Sequence, residues 1–284
     1  MINQGIIQSF IQPRWIFPLV TFRVVFGLAG LIGVLRFWYL GWIEDQYIKP
    51  EFHFHYQGFE WVEPLPAFGM YLVFFVQGLA AIGIMLGAWY RLSAIVYFIT
   101  FTYVELIDKA YYLNHYYFVS LGAFLLMFSE AHRFLSIDAW RKPEIRALRI
   151  PACEILMFKV MIGIVYTYAG LAKINSDWLL KALPLSIWLP PHYDMPLLGT
   201  MMGWEITHYM FSWAGMLFDT TIVIWLIWGK TRPYAYGVLV AFHIVTGYLF
   251  PIGMFPAIMS LIVLIFFSAE WHWRWQRSVL RLFK

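Results

Sequence analysis

Hydrophobic residues make up 62% of this chain and charged residues only 13%, so polar side chains inside its apolar runs need a reason to be there. Glu105, Asp108 and Lys109 stand three and four positions apart near the end of one run, which are neighbouring positions on a helical face. Asn114 and His115 open the next run, Lys173, Asn175 and Asp177 close a later one, and His243 lies inside another. Lys173 offers the most chemistry. Tyr166, Ala169 and Gly170 fall on its face at helical spacing, and two small residues there leave a hollow fit for a flat ring or a lipid tail. Burial of an amine disfavours its charge, and an uncharged amine is a base.

The same residues also have structural readings. Glu105 and Lys109 at i,i+4 read as an ion pair closing a helix. Lys173 reads as an interfacial lysine snorkelling to headgroups, with Ala169 and Gly170 as small residues that let helices approach. His243 reads as an interior histidine bonded to another helix. Arg23, Arg36, Lys159 and Asp219 read as structurally paired groups.

Composition sets the solvent in which these groups work. A soluble domain carries about 25% charged residues, roughly twice the share found here. With 15 Trp, 18 Tyr and 26 Phe in 284 residues, the chain has no water-compatible surface as a globule. A disordered chain, a nucleic-acid binder and a soluble enzyme are excluded, and the net charge of +4 implies no nucleic-acid partner. The one cysteine, Cys153, excludes an intrachain disulfide and a cysteine-based zinc site. His53 and His55 supply two ligands without a third, so no metal is expected. Neither a phosphate loop, a dinucleotide glycine fingerprint nor a Gly-x-Ser-x-Gly elbow is present.

The elements that must hold these groups are membrane helices, each needing about 20 apolar residues. Eight windows qualify: about 16–40, 67–89, 92–108, 114–130, 152–173, 204–228, 233–250 and 252–268. The third and fourth are short, and Pro251 with Gly253 marks a tight reversal between the last two. The expected architecture is all-α, a polytopic integral membrane bundle of about eight transmembrane helices forming a single domain over 1–284. Thirteen Lys and Arg flank one side of these spans, against Lys49, Lys109, Lys173 and Lys181 on the other. By the positive-inside rule both termini are cytoplasmic, and loops 41–66, 108–114, 174–203 and 250–252 face outward.

Tyr168-Ala-Gly-Leu-Ala-Lys173-Ile-Asn-Ser-Asp177-Trp178 resembles a stretch of the vitamin K-dependent gamma-carboxylases, whose membrane module is also called the HTTM domain. Leu106-Ile-Asp108-Lys109 with Asn114-His115-Tyr116-Tyr117 is similar to the family's Leu-Asp-Lys and Asn-His-x-Tyr stretch. Met127 to Trp140, with Glu130, His132, Ser136 and Asp138, resembles its next connection. Phe242-His243, Leu249-Phe250 and Ile252-Gly253-Met254-Phe255 resemble its Phe-His and Ile-Gly-Met-Phe pair, and Phe22-Arg23-x-x-Phe26-Gly27 its opening. The likeness runs in order over about 20 to 270.

The resemblance implies that a reduced vitamin K, or a menaquinol-like naphthoquinol, is deprotonated and reacts with oxygen to give a strong base. That base removes a γ-proton from a peptide glutamate, and carbon dioxide is captured there. On this reading Lys173 is the base toward the hydroquinone, His115 orients or stabilises the reacting species, and Asn114 hydrogen-bonds it. Met254 and Phe255 line the ring pocket and His243 supports it, while Tyr166 and Gly170 belong to the hollow beside Lys173. The expected partners are membrane lipid, a quinone and a secreted glutamate-containing peptide. The expected site is the extracytoplasmic face of a cell membrane or an ER-type membrane. Ala172 stands where the family has a second lysine, and the family's further helix and outer domain are expected to be absent. The alternative is a non-catalytic membrane module that binds quinone or lipid, or an immunity or maturation factor for a secreted partner.

Overall fold

In a computed structural model the protein is described over residues 4–196 and 198–282, with side chains over 8–196 and 198–278. Every apolar window folds as helix, as it must where no water is available to satisfy backbone N–H and C=O groups. The chain divides into two compact units, residues 1–158 with 267–284 and residues 159–266.

The first unit opens with α1 (Gln4–Ile11), strand β1 (Pro13–Trp15) and α2 (Phe17–Tyr39). Then follow α3 (Ala67–Leu86), α4 (Tyr90–Ile107), α5 (Asn114–Phe128) and the short α6 (Ile137–Arg141). Strand β2 (Arg149–Pro151) pairs antiparallel with β1, Arg14 opposite Ile150. Helix α7 (Ala152–Ala172) starts in this unit and continues into the second. The first unit regains the chain at α14 (Ala269–Leu282).

Sequential helices pack as neighbours, α2 on α3, α3 on α4 and α4 on α5. Gly27 lets α2 approach α3: a Cβ there would lie 2.5 Å from the Met85 amide nitrogen. Val34, Ile43, Tyr47, Met70, Phe74 and Ile107 form one buried core cluster. Helix α14 seats its polar face on the start of α2, where Thr21 Oγ1 lies 2.6 Å from His272 Nδ1 and Gln276 Nε2 donates to the Phe17 carbonyl at 2.8 Å.

The segment between α5 and α7 is a clasp. Arg23, 1% exposed, donates from its guanidinium to the carbonyls of Ala131 at 3.1 Å and Leu135 at 2.5 Å. Asp138 accepts from the Trp89 and Tyr90 amides, both at 2.8 Å, and so satisfies donors that the start of α4 leaves unpaired. Much of the 127–140 stretch is therefore structural.

The second unit carries the rest of α7, then α8 (Ser176–Lys181), α9 (Leu185–Trp188), α10 (Gly199–Met202) and α11 (Glu205–Ile227). It ends with α12 (Arg232–Leu249) and α13 (Phe255–Ile262), the latter continued by a 3-10 turn to Phe266. The reversal between α12 and α13 contains Gly253 at φ 61°, a conformation glycine adopts without strain.

The all-α membrane bundle is thus found, with β1 and β2 as a small addition. Among the described residues, α2, α3, α4, α7 and α11 are long and apolar enough to cross a membrane, five spans in all. A sixth exists if Phe255–Phe266 and Ala269–Ser278 form one broken span. Helix α5, at 15 residues, is short for the role. The expected Glu105–Lys109 ion pair does not form: α4 ends at Ile107, Asp108 is extended at φ −144°, and Lys109 leaves the helical face.

Replacing Arg23 by leucine removes both clasp bonds and leaves two carbonyls without their partner. The expected loss is about 3 kcal/mol of unfolding free energy, read as a lower midpoint in thermal unfolding of detergent-solubilised protein.

Candidate functional site

The candidate residues fall in both units. Asn114 and His115 belong to the first; Tyr166, Gly170, Lys173, His243, Met254 and Phe255 belong to the second.

Helix α7 ends at Ala172, so Lys173 sits on the turn beyond its last residue. Its Nζ donates to the Ala169 carbonyl at 3.1 Å and to Asp219 Oδ2 of α11 at 2.6 Å. The amine also lies 5.2 Å from the centre of the Trp178 ring. The carboxylate of this ion pair is the more enclosed half, with a side chain 8% exposed against 21% for the lysine. Lys173 is therefore neither a lone base in a hollow nor a lysine reaching for headgroups.

The hollow itself is corrected. A Cβ on Gly170 would lie 2.7 Å from the Thr220 amide nitrogen and 2.5 Å from Thr220 Cγ2. The missing side chain admits the backbone of α11, and that approach brings Asp219 onto Lys173. Small residues here serve helix packing, the structural alternative.

One turn earlier, Tyr166 points its hydroxyl at His243 Nε2, 2.7 Å away, with both side chains buried. Aromatic rings enclose the imidazole: Phe255 meets it edge-on at 5.7 Å, and Phe242 stacks on Phe218 at 3.9 Å. His243 Nδ1 is buried with no hydrogen-bond partner among the described residues. An unmet buried imidazole nitrogen is costly in an apolar site, and a ligand hydroxyl or carbonyl would satisfy it. Met254 immediately precedes α13, and its carbonyl accepts from the Ile258 amide at 3.0 Å.

Asn175 and Asp177 prove structural. The Asn175 side chain accepts from the Trp178 amide at 2.9 Å and starts α8, as an N-cap does. Asp177 pairs with the exposed Lys181 at 2.9 Å. Trp178 Nε1 donates to the Ser212 carbonyl at 2.8 Å, fastening α8 to α11.

In the first unit, Asn114 is the exposed first residue of α5. His115 follows, 7% exposed, with its ring edge-on to Tyr116 at 4.6 Å. Just before them, Asp108 gathers the loop ahead of α3: His53 Nδ1 lies 3.2 Å from its Oδ2, and the Phe54 amide donates to Oδ1 at 3.3 Å. The loop carries Tyr56 against α4 and α5.

Asp219, expected to be a structurally paired group, is paired, and its partner is Lys173. An acid in the middle of the apolar α11 is the signal, but nothing in the spacing names Lys173 as its partner.

Fold and site together define an all-α integral membrane protein with a few paired polar groups seated among its helices. A family model for the HTTM domain matches residues 11–271, and the chain belongs to that family. No solved structure matches it at a significant level.

Truncating Lys173 to alanine strands the enclosed Asp219 carboxylate, for an expected loss of about 3 kcal/mol. Lys173→Ala combined with Asp219→Ala is expected to recover most of that loss. A double-mutant cycle in thermal unfolding checks the coupling; strictly additive losses would show that the pair contributes nothing.

Proposed function

We propose that this chain is a carboxylase-like membrane enzyme, coupling oxygenation of a vitamin K-type hydroquinone to gamma-carboxylation of glutamate in a secreted peptide. The observation that carries the reading is the Lys173–Asp219 pair. Its lysine sits in the 168–178 stretch that resembles the gamma-carboxylases, within a chain of the HTTM family.

The residues present suit a naphthohydroquinone in one respect that the geometry itself supplies: His243 Nδ1 is buried among aromatic rings and unmet. His243 would hold a ring oxygen, and Met254 and Phe255 would cover the ring. When bound, the hydroquinone with oxygen supplies a base stronger than any side chain, which is what removal of a glutamate γ-proton demands.

The chain's own part is gentler. An ammonium–carboxylate pair can take up one proton as a unit: Lys173 Nζ first passes a proton along the 2.6 Å contact to Asp219 Oδ2, and the neutral amine so formed then accepts one from the substrate. Charge inside the apolar bundle then changes by one unit at a paired site rather than at an isolated amine, which is the less costly arrangement. The Ala169 carbonyl and the Trp178 ring hold the amine in place. The family resemblance gives Asn114 a hydrogen-bonding role toward the reacting species and His115 an orienting or stabilising one; both residues belong to the first unit. Oxygen and carbon dioxide are co-substrates, and no metal is required. The site faces the extracytoplasmic side of a cell membrane or an ER-type membrane, in keeping with the lysine and arginine asymmetry.

A second reading draws on Gly170. Because α11 fills the space beside it, the module could bind quinone or lipid elsewhere without catalysis and serve a secreted partner.

Purified protein given a naphthohydroquinone, oxygen, labelled bicarbonate and a glutamate-containing peptide separates the two. The enzyme reading expects quinol-dependent oxygen uptake and label in the peptide, with uptake about 100-fold lower in Lys173→Ala. Quinol binding without oxygen uptake would favour the second reading. For the topology, Glu60→Cys in a Cys153→Ser background is expected to react with an impermeant thiol reagent from outside. Labelling only from inside would reverse the orientation.

A further inference from the structure

Between α4 and α5 runs a groove of about 640 Å³, within the range of small-molecule sites, about 300–1,000 Å³. Phe98, Thr102 and Glu105 of α4 form one wall, and Ser120, Leu121 and Phe124 of α5 form the other. Tyr56 and Tyr112 stand at its rim. Leu121 and Phe124 are 36% and 41% exposed, so the wall opens sideways, toward lipid in a membrane-embedded bundle.

Glu105 lies two residues before the end of α4, about 3 Å along the axis from it, at the end that the positive-inside rule turns outward. Its carboxylate makes no ion pair or hydrogen bond among the described residues, since Lys109 has left the helix. Phe124 lies ten residues into α5, about 15 Å deeper. The groove thus has an acidic, hydroxyl-bearing mouth and an apolar body as long as part of an acyl chain. Tyr56 and Tyr112 stay neutral hydrogen-bonding groups, because burial, with the Glu105 charge adding to it, pushes both phenols up.

We propose that this groove binds a membrane lipid with a primary-ammonium headgroup, of the phosphatidylethanolamine class. The ammonium pairs with Glu105, the rim phenols meet the phosphate oxygens, and one acyl chain lies along Phe98, Leu121 and Phe124. An ammonium favours the ionised form of Glu105 and donates up to three hydrogen bonds, whereas a neutral occupant such as a quinol brings no charge to an apolar groove with one carboxyl in it. The lining residues all belong to the first unit, so the proposal stands apart from the carboxylase reading.

Native mass spectrometry of the full chain, loaded with chain-matched phosphatidylethanolamine, phosphatidylcholine or phosphatidylglycerol, tests this. Wild type is expected to retain phosphatidylethanolamine in preference to the other two, and Glu105→Gln to lower that preference about tenfold. Leu121→Trp, which fills the groove and leaves the carboxylate in place, is expected to abolish retention. Dodecylamine should displace the lipid where dodecanol does not. Equal retention of the three lipids, an unchanged preference in Glu105→Gln, or displacement by a naphthoquinone but not by dodecylamine would each overturn the proposal. Should Glu105→Gln fail to fold, the dodecylamine and Leu121→Trp arms decide the matter alone.

Discussion

Inside a bilayer no water is available to take an unmet hydrogen bond, and this protein is organised around that constraint. The consequence reaches beyond the helices to each polar side chain they carry. Arg23 is spent on two carbonyls of the clasp, Asp138 on two amides at the start of α4, and Asp108 on the loop ahead of α3. These are local solutions in which a charged group anchors irregular backbone that would otherwise be unsatisfied. Against that background several buried atoms stay unmet among the described residues, Arg23 Nε, His53 Nε2, Gln77 Oε1 and His243 Nδ1 among them, and His243 is the one ringed by Phe242 and Phe255.

The Lys173–Asp219 pair occupies a middle position. It is satisfied, yet it brings two charges together where α7 packs on α11, and its closeness depends on Gly170 having no side chain. The same missing Cβ that permits the helices to meet therefore sets the chemistry available at the end of α7. An isolated lysine would offer one proton site with an uncompensated charge. A lysine joined to a carboxylate offers a site whose charge change is shared, which is the more useful property in a medium that screens poorly.

Glu105 shows how a helix boundary decides chemistry. In a longer α4, Lys109 would stand one turn beyond it on the same face and neutralise it. Because the helix stops at Ile107 and the chain turns at Asp108, lysine and glutamate part. The glutamate then remains in a groove lined by aromatic residues, while Asp108 is consumed by the loop that carries Tyr56 into its lining.

Much was legible in the linear chain, for identifiable reasons. The scarcity of charge and the length of the apolar runs dictate helices in a bilayer, since backbone satisfaction leaves little other choice. Pro251 and Gly253 marked the last reversal through local backbone preference alone. Lys173, Asn114, His115 and His243 stood out because polar groups are rare in such runs, and the order of short motifs led to the HTTM family. Pairing was not legible. Spacing of four put Lys109 on Glu105, and small residues put a hollow beside Lys173; neither exists, because a helix end and a neighbouring helix intervene. Tyr166 with His243, 77 positions apart, and Lys173 with Asp219, 46 apart, meet only through the packing of α7, α11 and α12. The sequence by itself determined the solvent, the helices and which residues had to find partners. Tertiary structure alone decided which partner each one found, because a contact between helices depends on their approach and not on distance along the chain.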